Sequence, residues 1–178
     1  MKRIVKPLLT VLVALIGGLL IFAATRPDSF RVERSITVNA PPERVLAEVQ
    51  DFHRWATWSP WEKIDTALQK TYSGPPSGVG AVYEWQGNQD AGHGRMEIIE
   101  VQAPTHLSIR IDFFAPFEAH NEVEFLLVPL GAQTVVTQAM YGPQPFVVKL
   151  MGLVFSMDKA VGSKYEEGLA TLKATVER

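Results

Sequence analysis

A succession of short period-two segments with no helical pattern between them limits the fold more than any other feature. In His106–Phe114, Leu107, Ile109, Ile111 and Phe113 alternate with His106, Ser108, Arg110 and Asp112, the signature of a strand buried on one face and wet on the other. Val123, Phe125 and Leu127 repeat the pattern against Glu122 and Glu124, and Thr134–Tyr141 closes the series. Upstream, Gln69–Ser73, Ala81–Gln86 and Arg95–Gln102 read as strands, separated by the turn-rich Gly74–Gly80 and the hairpin loop Gly87–Gly92. Arg95–Gln102 has no clear register, because Met96, Ile98, Ile99 and Val101 are all apolar. Strands this close, joined by short turns, form an antiparallel sheet.

The series is flanked by helices. Phe30, Val32, Ile36 and Val38 alternate with Arg31, Glu33, Ser35 and Thr37 as a first strand, and Arg34 alone breaks the pattern. Asn39-Ala-Pro-Pro-Glu43 follows with prolines and an acidic residue suited to a first helical turn. Val45, Val49 and Phe52 then predict an amphipathic helix of about three turns. Phe52, Trp55, Trp58 and Trp61 fall at a spacing of three, near one face of a short helix. Their rings either plug one end of the core or line a ligand cavity or its mouth. At the other terminus, Leu150, Val154, Met157, Val161, Tyr165, Leu169, Leu172 and Val176 recur at steps of three or four. They predict one long helix lying on the apolar face of the sheet. Gly152, Gly162 and Gly168 interrupt it, either for close helix–sheet approach or to leave room for a ligand.

The amino terminus is of another kind. Lys2, Arg3 and Lys6 precede Leu8–Ala24, an apolar run that as a helix would measure about 25 Å, near the lower limit for crossing a hydrocarbon core of about 30 Å. Residues 1–26 are expected to form a retained single-pass membrane anchor with a transmembrane helix over 8–25; a removed signal peptide is the alternative. Basic residues on both flanks leave orientation nearly tied, and the short basic first flank favours the domain outside, on the extracytoplasmic side.

Residues 27–178 form the second part, a single domain carrying 13 basic and 19 acidic residues. This acidic balance gives no footprint for nucleic acid. The chain has no cysteine, which excludes disulfides, cysteine-ligated metals and cysteine nucleophiles.

A strand, short helices, a run of antiparallel strands and one long terminal helix give an α+β chain in the order of the helix-grip fold. Ile36-Thr-Val-Asn-Ala-Pro-Pro-Glu-Arg-Val45, Trp58-Ser-Pro-Trp61, Tyr72-Ser-Gly-Pro-Pro-Ser-Gly-Val-Gly80, Glu84-Trp85, Gly94-Arg-Met-Glu-Ile98 and Met157-Asp-Lys with Gly162 and Gly168-Leu-Ala-Thr-Leu172 together resemble the START-like, or SRPBCC, superfamily. They look most like its bacterial polyketide cyclase/dehydrase and lipid transport branch. The resemblance spans about residues 29–178 and rests on the order of these segments. It implies a curved sheet gripping the helix, with a cavity between them for a hydrophobic small molecule or lipid.

By alternation, candidate ligand-binding residues are Tyr83, Trp85, Met96, Ile98, Ile109, Phe113, Asn121, Val123 and Phe125 from the sheet. Met157, Val161 and Tyr165 come from the helix, and Trp58 from the aromatic run. Asn121 stands out, because an inward amide needs a partner. No catalytic motif is present. The four histidines, His53, His93, His106 and His120, lack metal-ligand spacing, so neither a metal nor a cofactor is expected. His120 with Glu84 or Asp112 is the best acid–base pairing on offer, although alternation turns Asp112 outward. The expected function is therefore non-catalytic binding by a membrane-tethered monomer. A cyclase- or aromatase-like enzyme using the same cavity and a co-chaperone-like interaction module are the alternatives.

Overall fold

The computed structural model describes residues 2–178, with side chains from residue 12 onward. Seven strands form one antiparallel sheet: β1 (Ser29–Val38), β2 (Gln69–Ser73), β3 (Val82–Gln86), β4 (His93–Gln102), β5 (His106–Ala115), β6 (Ala119–Leu130) and β7 (Gln133–Pro143). Their spatial order is β1-β7-β6-β5-β4-β3-β2. Every neighbouring pair except β1–β7 is consecutive in the chain, as short hairpin connections require. A bulge between Ile98 and Glu100 resolves the ambiguous register of β4. It keeps Met96 and Ile98 inside and turns Ile99 to solvent.

Helix α1 (Lys2–Ala24) precedes the sheet, α2 (Pro42–Val49) and α3 (Trp55–Trp58) lie between β1 and β2, and α4 (Phe146–Met151) and α5 (Met157–Val176) follow β7. α2 is shorter than its pattern predicts. It ends at Val49, and Phe52 opens a separate 3₁₀ turn whose Asp51 carboxylate accepts from the His53 N–H. The predicted long terminal helix is likewise two helices. α4 stops at Gly152, and Ser156 caps a fresh start by accepting from the Lys159 N–H. Val154, placed by periodicity on the buried stripe, is 95% exposed in the intervening bend.

α5 lies across the inner face of the sheet and against α2 and α3. Its carboxy-terminal end is tied to β1: Lys173 Nζ donates to the Thr37 carbonyl at 2.6 Å, and the Glu177 carboxylate accepts from the Asn39 N–H at 2.6 Å. Leu169, Leu172 and Val176 bury their side chains among Val38, Val49, Leu107, Phe125, Leu127 and Val136, a dense core at one end of the sheet.

The strand registers place Ser29, Gln69, Gln86, His93, Ala115, Ala119 and Pro143 together at the other end. α1 enters β1 there and α4 leaves β7 there. The two helices pack together, and buried Lys149 of α4 pairs with Asp28 at 2.5 Å. That ion pair holds the Asp28 carboxyl below its ordinary range. The expected anchor lies partly outside the described side chains. Among the described residues no helix is long and apolar enough to cross a membrane.

Candidate functional site

The end of the sheet away from the dense core holds a cavity of about 230 Å³. β3, β4 and β5 supply Tyr83, Trp85, Met96, Ile111 and Phe113; β6 and β7 supply Val123, Gln138 and Met140; α5 closes it with Val161 and Tyr165. Trp55, Ser59, Trp61 and Glu62 form the wall between, and the loop at Asp90–Gly92 and the turn at Ala115–Pro116 form the rim. The wall is predominantly apolar, with a few inward polar groups, as small-molecule sites generally are.

The aromatic wall is built in steps. Tyr72 stacks on Tyr83 at 5.1 Å between ring centroids, Tyr83 on Trp85 at 6.0 Å, and Trp85 meets Phe113 edge-on at 5.8 Å. Trp85 also donates its indole N–H to the Ala91 carbonyl at 3.0 Å, fixing the ring to the rim loop. Gly94, opposite Trp85 in the β3–β4 register, makes that ring position possible. A Cβ there would stand 2.4 Å from the indole and 2.6 Å from the Asp112 carbonyl.

One carboxylate reaches this wall. Glu62 accepts from the Tyr83 hydroxyl at 2.8 Å and pairs with the Lys70 ammonium, and its side chain is only 6% exposed. Burial and the adjacent Glu62 push the Tyr83 phenol up, so it stays a donor. Donors occupy both Glu62 oxygens, so the carboxylate ties Tyr83 of β3 to Lys70 of β2.

Of the sequence-derived candidates, Tyr83, Trp85, Met96, Phe113, Val123, Val161 and Tyr165 lie together in the wall. Ile98, Ile109 and Phe125 point the same way but come next along the sheet, where they are fully enclosed in the core. Trp58 is core as well, edge-on to Phe125 at 6.1 Å. Pro60 begins a new 3₁₀ turn after α3, so Trp61 leaves the shared aromatic face and stands at the cavity with 41% exposure. Met157 packs on the core edge. Asn121 lies against Gly142, where a Cβ would be 2.1 Å from its Oδ1, and is not in the wall.

Its register opposite Ile111 keeps Asn121 on the inner face, but the amide that lines the cavity is Gln138, which sequence reasoning missed although it sits between inward Val136 and Met140. Ile111 carried the same alternation signal. Glu62 carried none, since its partner Tyr83 is distant in sequence. His120 and Asp112 do meet, at 2.7 Å, but on the outer face of the sheet. Glu84 faces Arg95 at 3.6 Å, away from both. None of these three residues touches the cavity. Among the described residues no cluster of histidine and carboxylate side chains could hold a metal.

A curved antiparallel sheet closed by one long helix over a largely apolar cavity is the helix-grip fold. The family described as polyketide cyclase / dehydrase and lipid transport matches residues 29–177, and the chain belongs to it. Protein CV1439 from Chromobacterium violaceum superposes with a TM-score of 0.59 at 18% identity, over 86% of this chain and 99% of that one. DynU16, from the dynemicin biosynthetic locus, gives a TM-score of 0.59 at 20% identity over 85% of this chain. The match spans 48% of DynU16, about half its length. Aha1 from Colwellia psychrerythraea gives 0.56 at 15% identity, over 83% of this chain and 96% of that one. At such identities the likeness is one of fold. No curated protein sequence matches the chain.

Proposed function

We propose that the chain binds a small, largely apolar molecule in the cavity between sheet and α5, as a monomer held at a membrane by α1 with the domain on the extracytoplasmic side. The observation that carries the binding reading is the cavity itself. Its aromatic wall is held in place by Trp85–Ala91 and Tyr83–Glu62 hydrogen bonds, and it has not collapsed as an ordinary core would. The family's description points the same way. Binding is favoured over catalysis because each oxygen of the one buried carboxylate in the wall is already engaged, by Tyr83 and Lys70.

The tether is supported by the apolar run of α1, whose described residues Leu12, Val13, Leu15, Ile16, Leu19, Leu20, Ile21 and Phe22 are all exposed. Water disfavours such a surface and a bilayer accepts it.

Native mass spectrometry of the full chain, released gently from detergent, tests the binding reading. The expected spectrum shows a monomer carrying an added mass that Val161→Trp, which narrows the cavity, removes. A ligand-free spectrum that persists after incubation with membrane extracts would overturn it. Alkaline extraction of membranes tests the tether: the full chain stays in the pellet, and release into the supernatant refutes a spanning anchor.

A further inference from the structure

Three polar side chains turn towards the cavity without a side-chain hydrogen bond to the protein. Ser59 is 1% exposed, Gln138 4% and Tyr165 3%. All three line the cavity, and among the described residues no side-chain hydrogen bond is made by the Ser59 hydroxyl, the Gln138 amide or the Tyr165 hydroxyl. Gln138 is turned inward by the alternation of β7, and Tyr165 by the buried stripe of α5. Burial alone pushes the Tyr165 phenol up, so it remains a neutral donor.

Several buried polar groups elsewhere in this fold have a protein partner. The Trp55 indole donates to the Val49 carbonyl at 3.0 Å, and the Thr134 hydroxyl to the Ala40 carbonyl at 2.7 Å. Among the described residues, the fully buried polar side-chain atoms without a partner are the Trp58 indole nitrogen and one His106 ring nitrogen, so the open groups of Ser59, Gln138 and Tyr165 are ones the cavity itself can reach. An amide and two hydroxyls left open around one space form a concentration of unmet hydrogen-bonding capacity that a bound polar group can meet.

Charge and size narrow the ligand. The carboxylates at the cavity are Glu62 in the wall, already paired with Lys70, and Asp90 at the rim, and no lysine or arginine lines it. An anion entering would be desolvated with no countercharge and with carboxylates nearby. A cavity of about 150 Å³ accommodates one benzene ring. The present one, at about 230 Å³, accommodates roughly two fused rings and not a long acyl chain.

We infer that the cavity selects a neutral, oxygen-bearing ring compound of about two fused rings, whose hydroxyl or carbonyl oxygen is held by Gln138, Tyr165 and Ser59, and that it rejects carboxylates such as fatty acids. The inference rests on the cavity being the ligand site, as proposed above.

Three probes sharing one skeleton separate the two readings: 1-naphthol, naphthalene and 1-naphthoate. Each is equilibrium-dialysed with the full chain in mild detergent against the same detergent without protein. 1-Naphthol should be retained, naphthalene about tenfold more weakly, and 1-naphthoate not at all. Tyr165→Phe and Gln138→Leu, checked for an unchanged melting temperature, should each weaken 1-naphthol by about fivefold and leave naphthalene unaffected. Equal retention of naphthalene and 1-naphthol, or retention of 1-naphthoate, overturns the inference while leaving an apolar binding site. Retention of none overturns the binding reading with it. The wild-type series decides between these outcomes even if a variant does not fold.

Discussion

Gly162 of α5 lies directly against the guanidinium of Arg34 on β1. A methyl group at that glycine would stand 2.1 Å from Arg34 Nη2 and 2.4 Å from Cζ. Arg34 occupies an inward position of its strand, and the space at Gly162 lets it cross the helix to reach Asp158 at 3.0 Å and Glu166 at 2.6 Å. The residue that breaks the alternation of β1 and one of the glycines that interrupt α5 are thus two halves of one contact. The bidentate partner holds the Asp158 carboxyl below its ordinary range.

Two effects oppose each other in Gly162→Ala. Alanine is the better helix former by up to about 1 kcal/mol, but its methyl displaces Arg34 from both carboxylates. The substitution is expected to lower the melting temperature of the wild-type chain. In an Arg34→Ala background the clash is gone, and the same change should stabilise by up to about 1 kcal/mol. Denaturant titration of the four proteins reads the sign, and a stabilising effect in both backgrounds would show that the contact is not limiting.

Gly94→Ala meets backbone as well as side chain, since its Cβ would lie 2.6 Å from the Asp112 carbonyl and 2.4 Å from the Trp85 ring. Neither neighbour can swing away as Arg34 can. Overpacking of this kind costs about 1–3 kcal/mol, measurable by urea unfolding. A shifted Trp85 should also reduce retention of the cavity probes. A variant with unchanged stability would mean that β4 and β5 yield more easily than the close contact suggests.

His120 tests the electrostatics of the outer face. Its hydrogen bond to Asp112 raises the imidazole above its ordinary 6.5, with desolvation opposing and Glu118 assisting. For a raised base the stabilising contribution is complete below the unfolded-state value and is lost as pH climbs through the folded-state value. The window therefore opens at 6.5 and extends to the alkaline side. An NMR titration should place the His120 midpoint above 6.5, and Asp112→Asn should bring it back down. Identical midpoints in the two proteins would remove the pair as its cause.

The absence of cysteine makes the sidedness of the domain directly testable. Ser163→Cys puts one thiol on an exposed position of α5 with no background label. A membrane-impermeant maleimide applied to intact cells should label the variant if the domain is extracytoplasmic. Labelling only after lysis would place the domain on the inner side.

The strands were legible because alternation is local: each of β5, β6 and β7 can be read from its own residues. The cavity was only partly legible, because alternation tells inside from outside but not position along the inside. Ile109 and Phe113 share one face of β5, yet the first is core and the second is wall. Depth is set by where α5 stops covering the sheet, and that follows from the break at Gly152–Ser156, which the periodic stripe overran. Gln138 was readable in principle as a polar residue at an inward position. Glu62 was not, since its burial depends on Tyr83 and Lys70 arriving from two strands that follow its turn.

The registers gather the cavity rim, the root of α1 and the start of α4 at the same end of the sheet. The opposite end is sealed by Leu107, Leu127, Leu172 and Val176. The cavity rim and the root of α1 therefore share one end of the domain. If α1 tethers the chain as proposed, a ligand enters on the side nearest the tether, and lengthening the Thr25–Asp28 junction would move the entrance away from it without altering the cavity itself.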